Sequence, residues 1–308
     1  MRGSPTAAPG SRKAAPAARA APSLGQGGTR AGWLNLAWKV ILAAVILLLM
    51  SIGSPLSVAL SWSLLNPVLA TLLVWGGLIV GIAASNLFEG TATMRWAWGA
   101  LSVGAYLALA LPTLVTNTPS RMIDAVGPVA ALTLAAHLGR RDLQRALRDW
   151  ALVMGASLYA ALGVQAMWLV VGVFSNDGPL VFLVSVLLPP LLFEGIMLAM
   201  RRVGAQGSLV GPAVALLLAT LLSTAVIASN LLNRSMELPW LLLFGVIIAA
   251  LIGSGLLVSY LTRPLVEASS GARRPHQRVF DLARALIELS HGPILISLAL
   301  YIPLRLLH

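Results

Sequence analysis

Apolar runs of about twenty residues recur along most of this chain, and they limit the folds open to it. An α-helix needs about 20 such residues to cross the roughly 30 Å hydrocarbon core of a bilayer. The runs occupy residues 34–53, 65–85, 97–116, 122–139, 150–174, 180–200, 209–229, 240–261 and 286–307. We therefore predict an all-α, polytopic integral membrane protein with about nine transmembrane helices.

The composition agrees with a membrane protein and excludes several other classes. Of the 308 residues, 58% are hydrophobic and only 10% are charged, whereas about a quarter are charged in a soluble domain. The absence of cysteine excludes disulfides, thiolate metal sites and cysteine nucleophiles. Residues 1–32 are rich in Ala, Pro and Gly and contain no acidic residue, so we predict a disordered cytoplasmic tail there. Residues 33–308 form the predicted helical transmembrane domain.

The basic residues predict the orientation of the helices, because Lys and Arg accumulate in cytoplasmic loops. With the N-terminus inside, 18 of the 21 basic residues fall on the cytoplasmic side. The three that fall outside are Arg121, Arg234 and Arg305. This split predicts an inner N-terminus and an outer C-terminus. It also explains the net charge of +11 without nucleic acid, since no basic run is interleaved with exposed aromatic residues.

Glu194 and Glu288 lie within apolar runs, where an ionisable side chain is costly and indicates a functional site. Glu194 follows the prolines at 189–190, which lack N–H groups and predict a break or kink one turn earlier. Its carboxylate either holds a cation beside the freed carbonyls or pairs with an arginine near the inner interface. Glu288 and His291 are three residues apart near the start of the last run, and can therefore share a helix face.

A polar segment near the C-terminus carries a resemblance to a known family. Residues 259–281 read SYLTRPLVEASSGARRPHQRVFD and resemble the signature of the phosphatidate cytidylyltransferases, the CDP-diacylglycerol synthase family. That signature reads Ser-x-Leu-Lys-Arg, four residues, Lys-Asp-x-Gly, a short gap, then Pro-x-His-Gly-Gly-apolar-x-Asp-Arg. With one single-residue gap, the matching residues are Ser259, Leu261, Arg263, Gly271, Pro275, His276, Val279 and Asp281. The family's lysines are absent, since Thr262 and Ala268 stand at their positions.

The resemblance implies a reaction in which the phosphate of phosphatidate attacks the α-phosphate of CTP, giving CDP-diacylglycerol and diphosphate. It implies catalytic roles for Asp281 and His276, and metal binding by Asp281 and Glu194. Mg²⁺ is the implied cofactor of an active protein, whereas a catalytically inactive descendant needs none. The residues implied to bind substrate phosphate are Ser259, Arg263, Arg274 and Arg278.

The distribution of basic residues and the resemblance together give the expected surroundings of the protein. The expected location is the cytoplasmic membrane of a bacterium, with the signature loop facing the cytosol that contains CTP. Candidate partners are anionic phospholipids or phosphatidate, CTP and a second copy of this chain, whereas nucleic acid is not expected.

Two other classes stay open on the residues alone: a transporter or permease, and a structural membrane subunit without chemistry. An enzyme or its inactive descendant predicts that Glu194, Asp281 and His276 converge in one cavity at the inner face. A transporter predicts a polar line through to the outer face. A structural subunit predicts neither feature and binds other helices through small-residue faces such as Gly76-Gly77 to Gly81.

Overall fold

The computed structural model describes residues 27–59, 66–87, 92–116, 120–138, 142–173, 178–202, 210–232, 238–269 and 279–307. Over these ranges the secondary structure is helical, and none of the described residues lies in a strand. The helices are α1 (Gly27–Ala59), α2 (Pro67–Leu87), α3 (Ala92–Thr116), α4 (Ser120–Leu138), α5 (Leu143–Val173), α6 (Gly178–Phe182), α7 (Leu188–Arg202), α8 (Val210–Leu232), α9 (Leu238–Ser269) and α10 (Val279–Leu307). A π-helical turn, Leu183–Leu187, joins α6 to α7.

The prediction of an all-α protein built from apolar helices is confirmed. Among the described residues, six helical units are long and apolar enough to cross a membrane: α1, α2, α3, α5, the α6–α7 unit and α9. Shorter apolar stretches, Val210–Ala225 and Ala285–Tyr301, lie in α8 and α10. Crossings by α4, α8 and α10 are therefore predictions from the sequence, and α4 overlaps the predicted run that is interrupted by charge at both ends.

Local sequence sets several helix starts. Asn66 caps α2, since its Oδ1 accepts from the N–H groups of Val68 at 2.9 Å and Leu69 at 3.3 Å. Proline at position 67 opens the same helix, where a missing N–H is harmless. Helix α1 begins at Gly27 and so includes the end of the predicted tail. The rest of that tail, residues 1–26, lies outside the described residues.

The predicted irregularity before the two prolines takes the form of a π-helical turn. Pro189 and Pro190 cannot donate to the carbonyls four residues earlier. The N–H of Leu188 instead donates to the carbonyl of Leu183, five residues back. The helix thus continues through both prolines, and α7 carries Glu194 towards the end of the bundle where α7 finishes.

Helices α5 and α10 form the centre of the packing. α5 packs against α2, α3, α4 and α10, and α10 packs against α1, α5 and α9. Two thirds of the apolar window of α5 is buried, at 67%, compared with 28% for α1 and 17% for α9. Helices α1 and α9 are therefore peripheral, with broad apolar faces left for lipid, and each packs against α10.

Candidate functional site

Four helices contribute charged side chains to one cluster at the same end of the bundle. Lys39 lies in the first half of α1, Glu194 in α7, Arg263 near the end of α9 and Glu288 near the start of α10. Helices α1 and α10 begin at this end, and α7 and α9 finish there. The antiparallel arrangement therefore brings the four residues to one level of the bundle. We call these four residues the ion cluster.

The Lys39 ammonium lies between the two carboxylates. Its Nζ is 2.6 Å from Glu194 Oε2 and 2.8 Å from Glu288 Oε2. The side chains of Lys39, Glu288 and Glu194 are only 4%, 5% and 13% exposed, so salt and water screen their interaction little. Charge-assisted hydrogen bonds of this length are strong and offset part of the cost of burying the ions.

Two more side chains contact these carboxylates. Asn35, one turn before Lys39, donates from Nδ2 to Glu288 Oε2 at 2.7 Å. Arg263 Nη2 lies 3.6 Å from Glu194 Oε1, and 33% of the Arg263 side chain is exposed. That separation exceeds a direct hydrogen bond, so the Arg263–Glu194 pair is looser than the pairs made by Lys39. The two cations and two carboxylates of the ion cluster sum to no net charge.

His291 lies one turn after Glu288 and connects α10 to α5 and α9. Its Nδ1 is 2.8 Å from the Tyr159 hydroxyl, and its Nε2 is 2.6 Å from Thr262 Oγ1. Thr262 donates its one hydroxyl hydrogen to the Val258 carbonyl at 2.6 Å. One ring nitrogen of neutral His291 donates to its hydroxyl partner and the other accepts, and the tautomer decides which does which. Both ring nitrogens of a neutral His291 are satisfied, and the ring is held in one orientation.

Two cavities adjoin the ion cluster. The larger has a volume of about 650 Å³ and lies between α1, α7 and α9. Its polar lining residues are Asn35, Glu194, Arg201 and Arg263, and its apolar ones include Leu34, Trp38, Met197, Leu198 and Leu261. The smaller has a volume of about 60 Å³, which is room for a few water molecules. Glu194, Tyr260 and Arg263 line both cavities and so stand between them.

The structure brings together several residues that the sequence proposes for a site. Glu194, Ser259 and Arg263 all line the smaller cavity, together with Glu288 and His291. Glu194 pairs with cations from α1 and α9, so its partners come from other helices. The proposed residues outside the described part of the chain are Arg274, His276 and Arg278, and the side chain of Asp281 lies outside it too.

Lys39 and Asn35 are two residues of the ion cluster and its contacts that the sequence analysis does not propose. Lys39 enters it only as one of the basic residues that set the orientation. A signal was nevertheless present, because Lys39 is an ionisable residue inside the run 34–53 and the argument applied to Glu194 applies to it equally. Asn35 precedes it by one helical turn and therefore shares its face.

Comparisons with models of protein families, with curated proteins and with solved structures find no match to this chain. The likeness to the cytidylyltransferase signature therefore rests on the residues of the segment 259–281 and on Glu194. The features of the structure that bear on function are the ion cluster and its two cavities.

Proposed function

We propose that this chain is an integral membrane protein that binds an anionic lipid phosphate, such as phosphatidate, in the larger cavity. The observation that carries the proposal is the lining of that cavity. It combines two guanidinium groups, from Arg201 and Arg263, with an apolar wall on α1 and α9. A ligand with a phosphate head and an acyl chain matches both parts of this lining.

The ion cluster supports phosphate binding by Arg263. Glu194 is held more closely by Lys39 than by Arg263, with N–O distances of 2.6 Å and 3.6 Å. A guanidinium has five N–H donors in a planar fork that fits phosphate oxygens. Arg263 can therefore bind a phosphate in the cavity while the Glu194 carboxylate keeps its contact with Lys39.

The apolar wall supports a ligand that comes from the bilayer. Leu34 is 58% exposed, Trp38 37% and Leu261 66%, although all three line the cavity. Helices α1 and α9 each pack against α10, whereas their described parts have little or no direct packing on each other. The cavity thus opens sideways between α1 and α9, where an acyl chain can lie against these residues.

Replacing Arg263 with glutamine is expected to weaken phosphatidate binding by about tenfold, since a hydrogen bond to a charged group contributes about 1.5–3 kcal/mol. Binding is measured with purified protein in nanodiscs, with phosphatidate in a phosphatidylcholine background. Arg121→Gln is the matched control, because Arg121 is 60% exposed, pairs with Asp124 and belongs to the predicted outer side. Equal loss in both variants, or no loss in Arg263→Gln, would contradict this role of Arg263.

The proposal includes nine crossings, with the N-terminus in the cytoplasm and the C-terminus outside, in the cytoplasmic membrane of a bacterium. The helical units overlap the predicted apolar runs, and the alternation of basic residues supports this orientation. We expect a periplasmic reporter fused after His308 to be active and a cytoplasmic reporter at the same place to be silent. The opposite pattern would mean that the number of crossings is even.

A second candidate function, cytidylyl transfer from CTP to phosphatidate, is favoured by the meeting of Glu194, Ser259 and Arg263 at one cavity. In this reaction a phosphate oxygen of the lipid bonds to the α-phosphorus of CTP while the bond to the leaving diphosphate breaks. Glu194, the metal ligand implied by the resemblance, is however occupied by Lys39. We therefore place lipid-phosphate binding first and transfer second.

We expect no label to pass from radioactive CTP to phosphatidate when the purified protein is incubated with both and Mg²⁺. The physical reason is that Glu194 and Glu288 hold an ammonium rather than a metal ion, and the family's lysines are replaced at Thr262 and Ala268. The control is Asp281→Asn under the same conditions. Turnover by the wild type that disappears in this variant would replace our first candidate with an active cytidylyltransferase.

A further inference from the structure

The position of Lys39 bears on which cation this site uses. Glu194 and Glu288 come from different helices, and each directs an oxygen at the same nitrogen atom. Two buried carboxylates that converge on one point can supply two of the oxygen ligands of a divalent ion. Here both carboxylates converge on the ammonium nitrogen of Lys39, a cation that is part of the chain.

The described residues do not fit a divalent ion in addition to Lys39. Mg²⁺ needs oxygen ligands at about 2.0–2.1 Å in octahedral geometry, whereas the near oxygens of the two carboxylates lie 2.6 Å and 2.8 Å from the ammonium nitrogen. Glu194 Oε1 faces Arg263, a second cation. The ion cluster is already neutral, so a bound Mg²⁺ would bring two uncompensated charges into a site that excludes most water. Within the described residues, no group of three or more His, Asp or Glu side chains could hold a metal ion.

We infer that Lys39 is the resident cation of this site: its ammonium takes the position between Glu194 and Glu288 in which a divalent metal would bind, and it makes anion binding in the adjoining cavity independent of metal. The first part stands on the geometry of the ion cluster alone. The second part rests on the proposed function, because it concerns binding of a lipid phosphate.

The inference predicts that removing the ammonium converts the cluster into a metal site. Lys39→Met keeps a long unbranched side chain but deletes the charge, so the two carboxylates are left facing one point. Mn²⁺ is a suitable probe because it prefers carboxylate oxygens and has an electron paramagnetic resonance signal. We expect Lys39→Met to bind one Mn²⁺ at least about tenfold more tightly than the wild type.

The added Mn²⁺ site must depend on the cluster carboxylates. We therefore expect it to disappear in the double variant Lys39→Met/Glu288→Gln. The single variant Glu194→Gln, which keeps Lys39, is expected to bind Mn²⁺ as the wild type does, because Glu194 does not hold a metal while Lys39 is present. Wild-type Mn²⁺ binding that is lost in Glu194→Gln would overturn the inference, and this measurement decides the matter even if Lys39→Met does not fold. A folded Lys39→Met protein without an added Mn²⁺ site would overturn it as well.

A third measurement tests whether phosphatidate binding requires a divalent metal. We expect phosphatidate in nanodiscs to bind the wild type equally well in EDTA and in Mg²⁺. A loss of about tenfold or more in EDTA, removed by Glu194→Gln, would refute the second part. Absence of phosphatidate binding under both conditions would contradict the proposed function and the second part together, while the Mn²⁺ results would still decide the role of Lys39.

Discussion

Replacing Lys39 with methionine is expected to lower the free energy of unfolding by about 3–5 kcal/mol, the largest effect of any single change considered. The variant leaves the carboxylates of Glu194 and Glu288 buried, 13% and 5% exposed, without the ammonium that both contact. Within the described residues, Glu194 then keeps the looser 3.6 Å pair with Arg263. Reversible unfolding in mixed detergent micelles with EDTA measures the change.

The double variant Lys39→Met/Glu288→Gln separates charge from packing. Glutamine at 288 is neutral and can still accept from Asn35, which now donates to this side chain at 2.7 Å. We expect the double variant to recover about half or more of the lost stability, because the uncompensated charge is the main cost. If it is as unstable as Lys39→Met, the loss arises from packing of the lysine stem instead.

The helices could be predicted from the sequence because the length of an apolar run is a local property. It can be compared directly with the length of helix that is needed to cross a bilayer. A local irregularity before Pro189 and Pro190 could also be predicted, since the two prolines remove two donors at known positions, but the prediction was a break or kink and not the π-helical turn that forms. The ends of the helices were harder to predict from the sequence. Helix α1 begins at Gly27 because helical backbone can continue beyond the apolar residues that span the membrane.

From the sequence, the site could be predicted only as a set of ionisable side chains whose burial in an apolar run costs free energy. Glu194 and Glu288 were identifiable because charge inside an apolar run needs a partner. The identity of that partner was not, because Lys39 is 155 residues from Glu194 along the chain and Asn35 is 253 residues from Glu288. Such contacts depend on which helices pack together, and neither periodicity nor run length encodes that choice. Counting Lys39 only for orientation concealed its second role as a counter-ion.

Close packing of α9 on α10 positions the same site, and Gly255→Ala is expected to disturb it. A Cβ at 255 would lie 2.8 Å from the Cα of Ile296, 2.9 Å from its Cγ1 and 3.0 Å from its N. Backbone atoms cannot turn aside as a side-chain tip can, so the helices must separate. We expect a loss of about 1–3 kcal/mol of unfolding free energy, the usual cost of overpacking a tight contact.

Gly245→Ala is the matched control because it lies in the same helix and a Cβ there would meet nothing within 4 Å. Alanine exceeds glycine in helix propensity by about 1 kcal/mol, so this control is expected to be neutral or stabilising in the same detergent unfolding assay. Separation of α9 from α10 must also stretch the 2.6 Å contact between Thr262 and His291 and shift Arg263. Gly255→Ala should therefore weaken phosphatidate binding while Gly245→Ala leaves it intact. Equal stability of the two variants would show that the α9–α10 interface accommodates an added methyl group. The interface would then not fix the position of Arg263.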